Sequence, residues 1–258
     1  MISLELYPKN LDDKDYKHFL EVVKTFNPEF VSVTMPQRPL AVNDILSTVE
    51  YLLNAGLKVI PHITAANSTE SQVRGYLEHL ILLGIDSVMV ITGDNKRIGD
   101  TPVFTDFKNG SDLLSFIRAN YQSLSVYTSF YPDAVNCEGL IAERKQYSSN
   151  FISQMVFDID AYKRTHSKLK ALYPECSFRT GFMPIISKDH LIRWNSLPNL
   201  SMPADVFDLI TKEQFVEAAW NKSVSNLLNL LQVTEDIHIF TMDNAAMLQE
   251  LFYILKRD

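Results

Sequence analysis

A closed (β/α)8 barrel of the α/β class is the architecture this sequence predicts, and three observations predict it. Eight short β-rich runs recur along the 258 residues. The stretches between them are too long for hairpins and carry helical periodicity. No GxGxxG follows the first run, where an open, doubly wound dinucleotide-binding sheet would carry one.

The first run, Ser3–Leu6, alternates Leu4 and Leu6 with Ser3 and Glu5, so its apolar side faces outward and Glu5 faces the other way. Phe30–Thr34, Lys58–Pro61, Ser87–Ile91, Leu124–Tyr127, Phe151–Ser153, Phe178–Phe182 and Ile237–Phe240 follow. Their starts are 27, 28, 29, 37, 27, 27 and 59 residues apart. Apolar residues at helical spacing fill the gaps, as in Leu46, Val49, Tyr51, Leu52 and Leu53, or Leu113, Leu114, Phe116 and Ile117. The long last gap has room for an extra turn or helix around Pro198–Ile210, before a helix near Glu213–Leu231. Pro198 and Pro203 interrupt helix there, so this insertion before the eighth strand is expected to cap one rim of the barrel.

Residues 1–258 read as one domain, a size that barrels of this kind reach without splitting. The composition is 46% hydrophobic and 21% charged, which supports a sizeable core. A net charge of −7, with basic residues adjoining only in short pairs such as Arg144-Lys145, argues against a nucleic-acid partner, which needs clustered cations. No apolar window reaches the length of a spanning helix, and no signal-like leader precedes the first strand. A cytoplasmic protein without membrane attachment is expected. Cys137 and Cys176 lack CxxC spacing and read as free thiols, and no metal site is expected. Composition leaves a homo-oligomer open.

In such a barrel, functional groups sit where strands end and βα loops begin. Glu5 has two readings: a structural carboxylate paired with a buried Lys or Arg, or a general acid whose pKa is raised by apolar neighbours. Asp94 closes Val88-Met89-Val90-Ile91-Thr92-Gly93-Asp94, where Gly93 permits a tight turn. This Asp either caps a helix or accepts two N–H donors from an aminopyrimidine edge. His62, in Ile60-Pro61-His62-Ile63, is a hydrogen-bonded core histidine or a ligand contact. Thr34 ends the second run, and Gln154 is an amide among apolar residues that must find partners. Tyr131-Pro132, with Tyr127 and Phe130, forms an aromatic platform for a flat ring or ordinary loop packing. Together these residues suit a heteroaromatic substrate whose chemistry needs a proton donor. They do not suit phosphoryl transfer, because neither a glycine-rich cradle nor its lysine is present.

The same blocks, in order, resemble the methylenetetrahydrofolate reductase family over nearly the whole chain. The carrying residues are Ser3-Leu4-Glu5-Leu6-Tyr7-Pro8, Phe30-Val31-Ser32-Val33-Thr34, Pro61-His62-Ile63-Thr64, Gly84-Ile85 with Thr92-Gly93-Asp94, Tyr131-Pro132, Ser153-Gln154-Met155-Val156-Phe157-Asp158, Gly181-Phe182-Met183-Pro184-Ile185 and Phe240-Thr241-Met242. The resemblance implies a (β/α)8 barrel that reduces 5,10-methylenetetrahydrofolate to 5-methyltetrahydrofolate with FAD and NAD(P)H, in one-carbon metabolism and methionine biosynthesis. It makes Glu5 the general acid for opening the imidazolidine ring and Asp94 the pterin contact beside the flavin. Gln154 becomes the amide that touches folate and nicotinamide in turn. Thr34, His62, Gly93, Asp94 and Tyr131 line the flavin, and Lys145 is a phosphate partner.

The chain departs from the family pattern at Thr92, where an Arg is usual, and at Val135, where a His is usual. Asn244 and Lys188 stand where an Arg and an aromatic are expected, and the Tyr131-to-Arg144 stretch is shorter. The pterin-facing set is therefore intact while the dinucleotide-gripping set is thinned. That thinning keeps a second expectation in play: a flavin-free folate-binding barrel that transfers or reduces a one-carbon unit, or a folate-binding subunit.

Overall fold

Eight parallel strands close on themselves in sequence order, β1 through β8, with β8 returning to pair with β1. The computed structural model describes residues 1–35, 41–93 and 106–256. The strands are β1 (Ile2–Leu6), β2 (Val31–Val33), β3 (Val59–Thr64), β4 (Ser87–Ile91), β5 (Ser125–Phe130), β6 (Asn150–Met155), β7 (Ser177–Phe182) and β8 (Ile237–Phe240). All eight fall on the runs read from the sequence. The helices are α1 (Lys14–Phe26), α2 (Ala41–Asn54), α3 (Glu70–Leu82), α4 (Gly110–Asn120), α5 (Cys137–Arg144), α6 (Ile159–Leu172), α7 (Lys188–Asn195), α8 (Ala204–Phe207), α9 (Phe215–Leu231) and α10 (Ala245–Leu255).

Local chemistry starts the helices where the strands have ended. Asp13 accepts from the Asp15 and Tyr16 N–H groups, Asp158 from Ala161 N, and Asn244 from Met247 N. Thr69 and Gln72 form a reciprocal capping box. The main core lies between sheet and helices. Outward residues such as Leu4, Val31, Val33, Ile63 and Val90 pack there against Phe19, Ile45, Leu77 and Leu113. Inside the barrel Phe30, Ile60, Met89 and Ile152 fill the middle, so the barrel is a packed solid rather than a pore.

Strand β6 departs from regular pairing, with its register against β7 shifting between Ile152 and Met155. Gly181 makes that irregularity possible. A Cβ there would lie 2.5 Å from Ser153 O and 2.8 Å from the Phe240 ring. Its N–H donates to Ser153 Oγ at 2.8 Å, which pins the displaced strand.

The insertion before β8 is more helical than the sequence suggested. α7 precedes Pro198, Pro203 opens α8, and a single 3-10 turn at Asp208–Thr211 leads towards α9. These pieces bury Leu191, Trp194, Val206, Leu209 and Phe215 against Phe157, Met183 and Ile185, which follow β6 and β7. The insertion therefore caps the rim at the C-terminal ends of those strands, as expected. Among the described residues no helix is long and apolar enough to cross a membrane.

Candidate active site

The inward faces of the strands end in a cavity of about 460 Å³, whose lining includes Glu5, Thr34, His62, Gly93, Tyr131 and Gln154. Six of the eight residues singled out in the sequence thus converge on one site, drawn from β1 to β6. Asp94 lies outside the described residues.

Glu5 is fixed from both sides of its strand. Its carbonyl accepts from Thr241 Oγ1 at 2.6 Å, just beyond β8, and its carboxyl reaches the cavity with a fifth of the side chain exposed. His62 Nε2 and His238 Nε2 each lie 3.7 Å from Oε2. Among the described residues, the carboxyl meets these two imidazoles and not the buried Lys or Arg expected of a structural Glu. Burial pushes its pKa up, but the His238 and His62 imidazoles beside the carboxyl together outweigh burial and hold it below the usual carboxylate range. The expectation of a raised pKa is therefore corrected: in the open site Glu5 is an anion near neutral pH. The physical reason is two imidazoles that Leu4 and Leu6, its neighbours in sequence, gave no hint of.

His62 is buried, and burial pushes its pKa down to about 4 against the upward pull of the Glu5 charge. It is thus neutral near pH 7. Among the described residues, neither His62 ring nitrogen has a hydrogen-bond partner, and neither does Thr34 Oγ1. Thr34 is held through its own N–H, which donates to Leu6 O. Three buried polar atoms without partners, on residues that line one cavity, are what a polar ligand edge would satisfy.

Gly93 has φ of +84°, and a Cβ there would stand 2.9 Å from the Thr64 Cβ. Only glycine lets β4 turn out this close to the end of β3. Thr92, where an Arg was expected from the resemblance, uses Oγ1 to accept the Gly110 N–H at the start of α4. Gln154 sits on the irregular part of β6, and its Oε1 accepts from Met155 N at 2.9 Å. That contact leaves the amide NH2 as the donor this residue can offer a ligand.

The aromatic platform is reassigned. Tyr127 points deep into the barrel, 5.4 Å from the Phe30 ring, and Phe130 points outward onto Phe151 and Phe178. Strand alternation turns Phe130 away from Tyr131, and Tyr127, on the same inward face as Tyr131, lies a full four residues deeper. Tyr7 and Phe240 join Tyr131 in the lining instead.

Lys145 stands elsewhere. It is the C-cap of α5, and in a βα barrel the helix C-termini lie at the pole remote from the strands' C-terminal ends. Its Nζ is 3.5 Å from Glu175 Oε1 and 5.0 Å from the Tyr173 ring, both in the connection that enters β7. The sequence reading missed His238 and Phe240. Their signal was Ile237-His238-Ile239-Phe240, the same period-two interruption of an apolar strand that drew attention to Glu5.

The family model of methylenetetrahydrofolate reductase matches residues 1–256. The chain belongs to that family. As a member it is a methylenetetrahydrofolate reductase-like oxidoreductase. A 5,10-methylenetetrahydrofolate reductase of Buchnera aphidicola (subsp. Baizongia pistaciae) is 25% identical over 215 residues, 78% of this chain and 71% of its own length. That of Escherichia coli K12 is 19% identical over 95% of this reductase and 87% of its own length. Among solved structures, a Clostridium thermocellum protein described as binding two copies of 5-methyl-5,6,7,8-tetrahydrofolic acid superposes with a TM-score of 0.69. It is 15% identical and covers 98% of this chain and 96% of its own, a likeness of fold.

Proposed function

We propose that this reductase converts 5,10-methylenetetrahydrofolate to 5-methyltetrahydrofolate in the cavity, with Glu5 as proton donor. The observation that carries the reading is a carboxyl on the cavity wall between two imidazoles, in a chain of this family. Gln154 contributes its amide donor to the folate, and Asp94, three residues along the sequence from β4, takes the aminopyrimidine edge. A folate-bound structural neighbour of the same fold supports the substrate class.

In the open site Glu5 is ionised. A pteridine laid over the cavity excludes water from it, and desolvation then favours the protonated form. Glu5 thus takes up a proton as the folate binds. It gives that proton to the amine nitrogen released when a C–N bond of the five-membered ring opens, leaving an iminium ready for a hydride.

FAD fits the cavity as far as its ring system is concerned. The partnerless Thr34 and His62 atoms match polar ring edges, and Met89, Ile91 and Ile152 supply apolar walls. When bound there, FAD would carry a hydride from NAD(P)H to the folate. The diphosphate is less well provided for: among the described residues the lining holds no Lys or Arg, and Lys145 is at the other pole. This observation supports a second reading, in which folate binds without flavin and a nicotinamide reduces it directly. In either case residues 1–258 act as one domain, in the cytoplasm, and supply the methyl group used in methionine biosynthesis.

Two measurements test this. Anaerobic incubation with NADH or NADPH, added FAD and 5,10-methylenetetrahydrofolate should yield 5-methyltetrahydrofolate. Glu5→Gln should slow that turnover by about 10²–10⁴-fold while folate still binds. No product from the wild type under any donor would overturn the reductase reading. Flavin absorbance of the protein after incubation with FAD separates the two cofactor readings. A colourless protein that turns over sinks the flavin.

A further inference from the structure

Arg179, near the start of β7, closes the floor of the barrel at the end remote from the cavity. Its Nη2 meets Glu29 Oε2 at 2.6 Å and lies 3.7 Å from Asp236 Oδ1, and its guanidinium carbon sits 4.9 Å from the Phe30 ring. Charge balance with Glu29 and Asp236 accounts for Nη2. Nη1 does something else: it donates to Met1 O at 3.2 Å and to Ser3 Oγ at 3.3 Å.

Ser3 Oγ is in turn 2.8 Å from His238 Nδ1. The other nitrogen of that ring, Nε2, lies 3.7 Å from Glu5 Oε2 and 3.4 Å from Ser32 Oγ. Polar atoms therefore connect the floor to the carboxyl at the mouth through the fully buried Ser3 and His238.

The direction of these bonds follows from what each group can do. A guanidinium only donates, so Ser3 Oγ accepts from Arg179. The single hydroxyl proton then has two acceptors in reach, His238 Nδ1 at 2.8 Å and Ile237 O at 3.4 Å, and the shorter contact takes it. With Nδ1 accepting, the ring hydrogen sits on Nε2, the nitrogen that faces Glu5.

We propose that Arg179 is a positioning residue for the reductase site, acting through Ser3 to fix the His238 tautomer that presents Nε2–H to Glu5. That N–H sits beside Ser32 Oγ, on the Oε2 side of the carboxyl, and the other carboxyl oxygen is left for the ligand. The consequence for turnover rests on the role given to Glu5 above, whereas the tautomer does not.

Two-bond ¹H–¹⁵N correlation spectra of the ¹⁵N-histidine-labelled protein read the tautomer without any turnover. The wild type should show His238 as the Nε2–H form. Ser3→Ala removes the link while keeping the Arg179–Glu29 pair, so it reports even if Arg179→Met does not fold. Both variants should gain the Nδ1–H form. Both should lose about tenfold or more in kcat with KM changed by less than about twofold, and Arg179→Lys should recover part of each. Three results overturn the proposal: an Nδ1–H wild type, a Ser3→Ala protein whose tautomer is unchanged, or a switched tautomer with full kcat. A wild type that makes no 5-methyltetrahydrofolate counts against the reductase reading, and the spectra still decide the link from Arg179 to His238.

Discussion

Glu5 is held as an anion and His62 as a neutral ring, and each state has a measurable consequence. Because Glu5 rests as an anion, folate binding should draw in up to about one proton near neutral pH, and affinity should rise as pH falls. Titration calorimetry in buffers of different ionisation enthalpy measures the uptake. Zero uptake by the wild type, or equal uptake by Glu5→Gln, contradicts the mechanism. His62 acts on stability. Its folded pKa of about 4 lies below the unfolded value of 6.5, so between those limits the unfolded chain binds more protons than the folded one. Stability from this group is complete above pH 6.5 and is lost as pH falls towards 4. The loss is on the order of 3 kcal/mol in full. Urea midpoints for wild type and His62→Asn should converge across that window. Parallel curves would show that His62 titrates as it does in water.

At the scale of elements, β6 and β7 decide where Gln154 sits. The irregular register of β6 exists because Gly181 leaves no side chain between Ser153 O and the Phe240 ring. Gly181→Ala forces the strands apart and should cost about 1–3 kcal/mol, read as a lower denaturant midpoint with unchanged slope. It should also weaken folate binding, because Gln154 and Ser153 move together. An alanine variant with native stability and affinity would show that the strand is free to adjust. The insertion α7–α9 was only partly legible beforehand. Prolines 198 and 203 mark its breaks and α9 falls on the helix expected near Glu213–Leu231, but α7 and α8 are short, and they are fixed by burial of Trp194 and Val206 on the barrel rim rather than by periodicity.

The whole molecule joins a packed barrel interior to a mouth with polar atoms that lack partners. A ligand that binds only the folded barrel stabilises it by mass action. 5-Methyltetrahydrofolate at a hundred times its Kd should add about 2.7 kcal/mol, and hence roughly 5–10 °C in Tm. No shift at saturating folate would remove the cavity as the folate site.

The sequence alone determined the barrel and the depth at which its polar residues sit, because both are local. Strand–helix alternation and period-two patterning assign each side chain a face, and Glu5, Thr34, His62, Tyr131 and Gln154 needed nothing more to be placed at strand ends. Closure decided the rest. Only when β1, β3 and β8 curve around one axis does Glu5 meet His62 and His238, reversing the sign expected for its pKa. The same closure brings Arg179 under Ser3, and the winding of α5 carries Lys145 to the far pole. Electrostatic effects depend on distance through space, and distance along the chain carries no information about which faces a closed sheet will bring together.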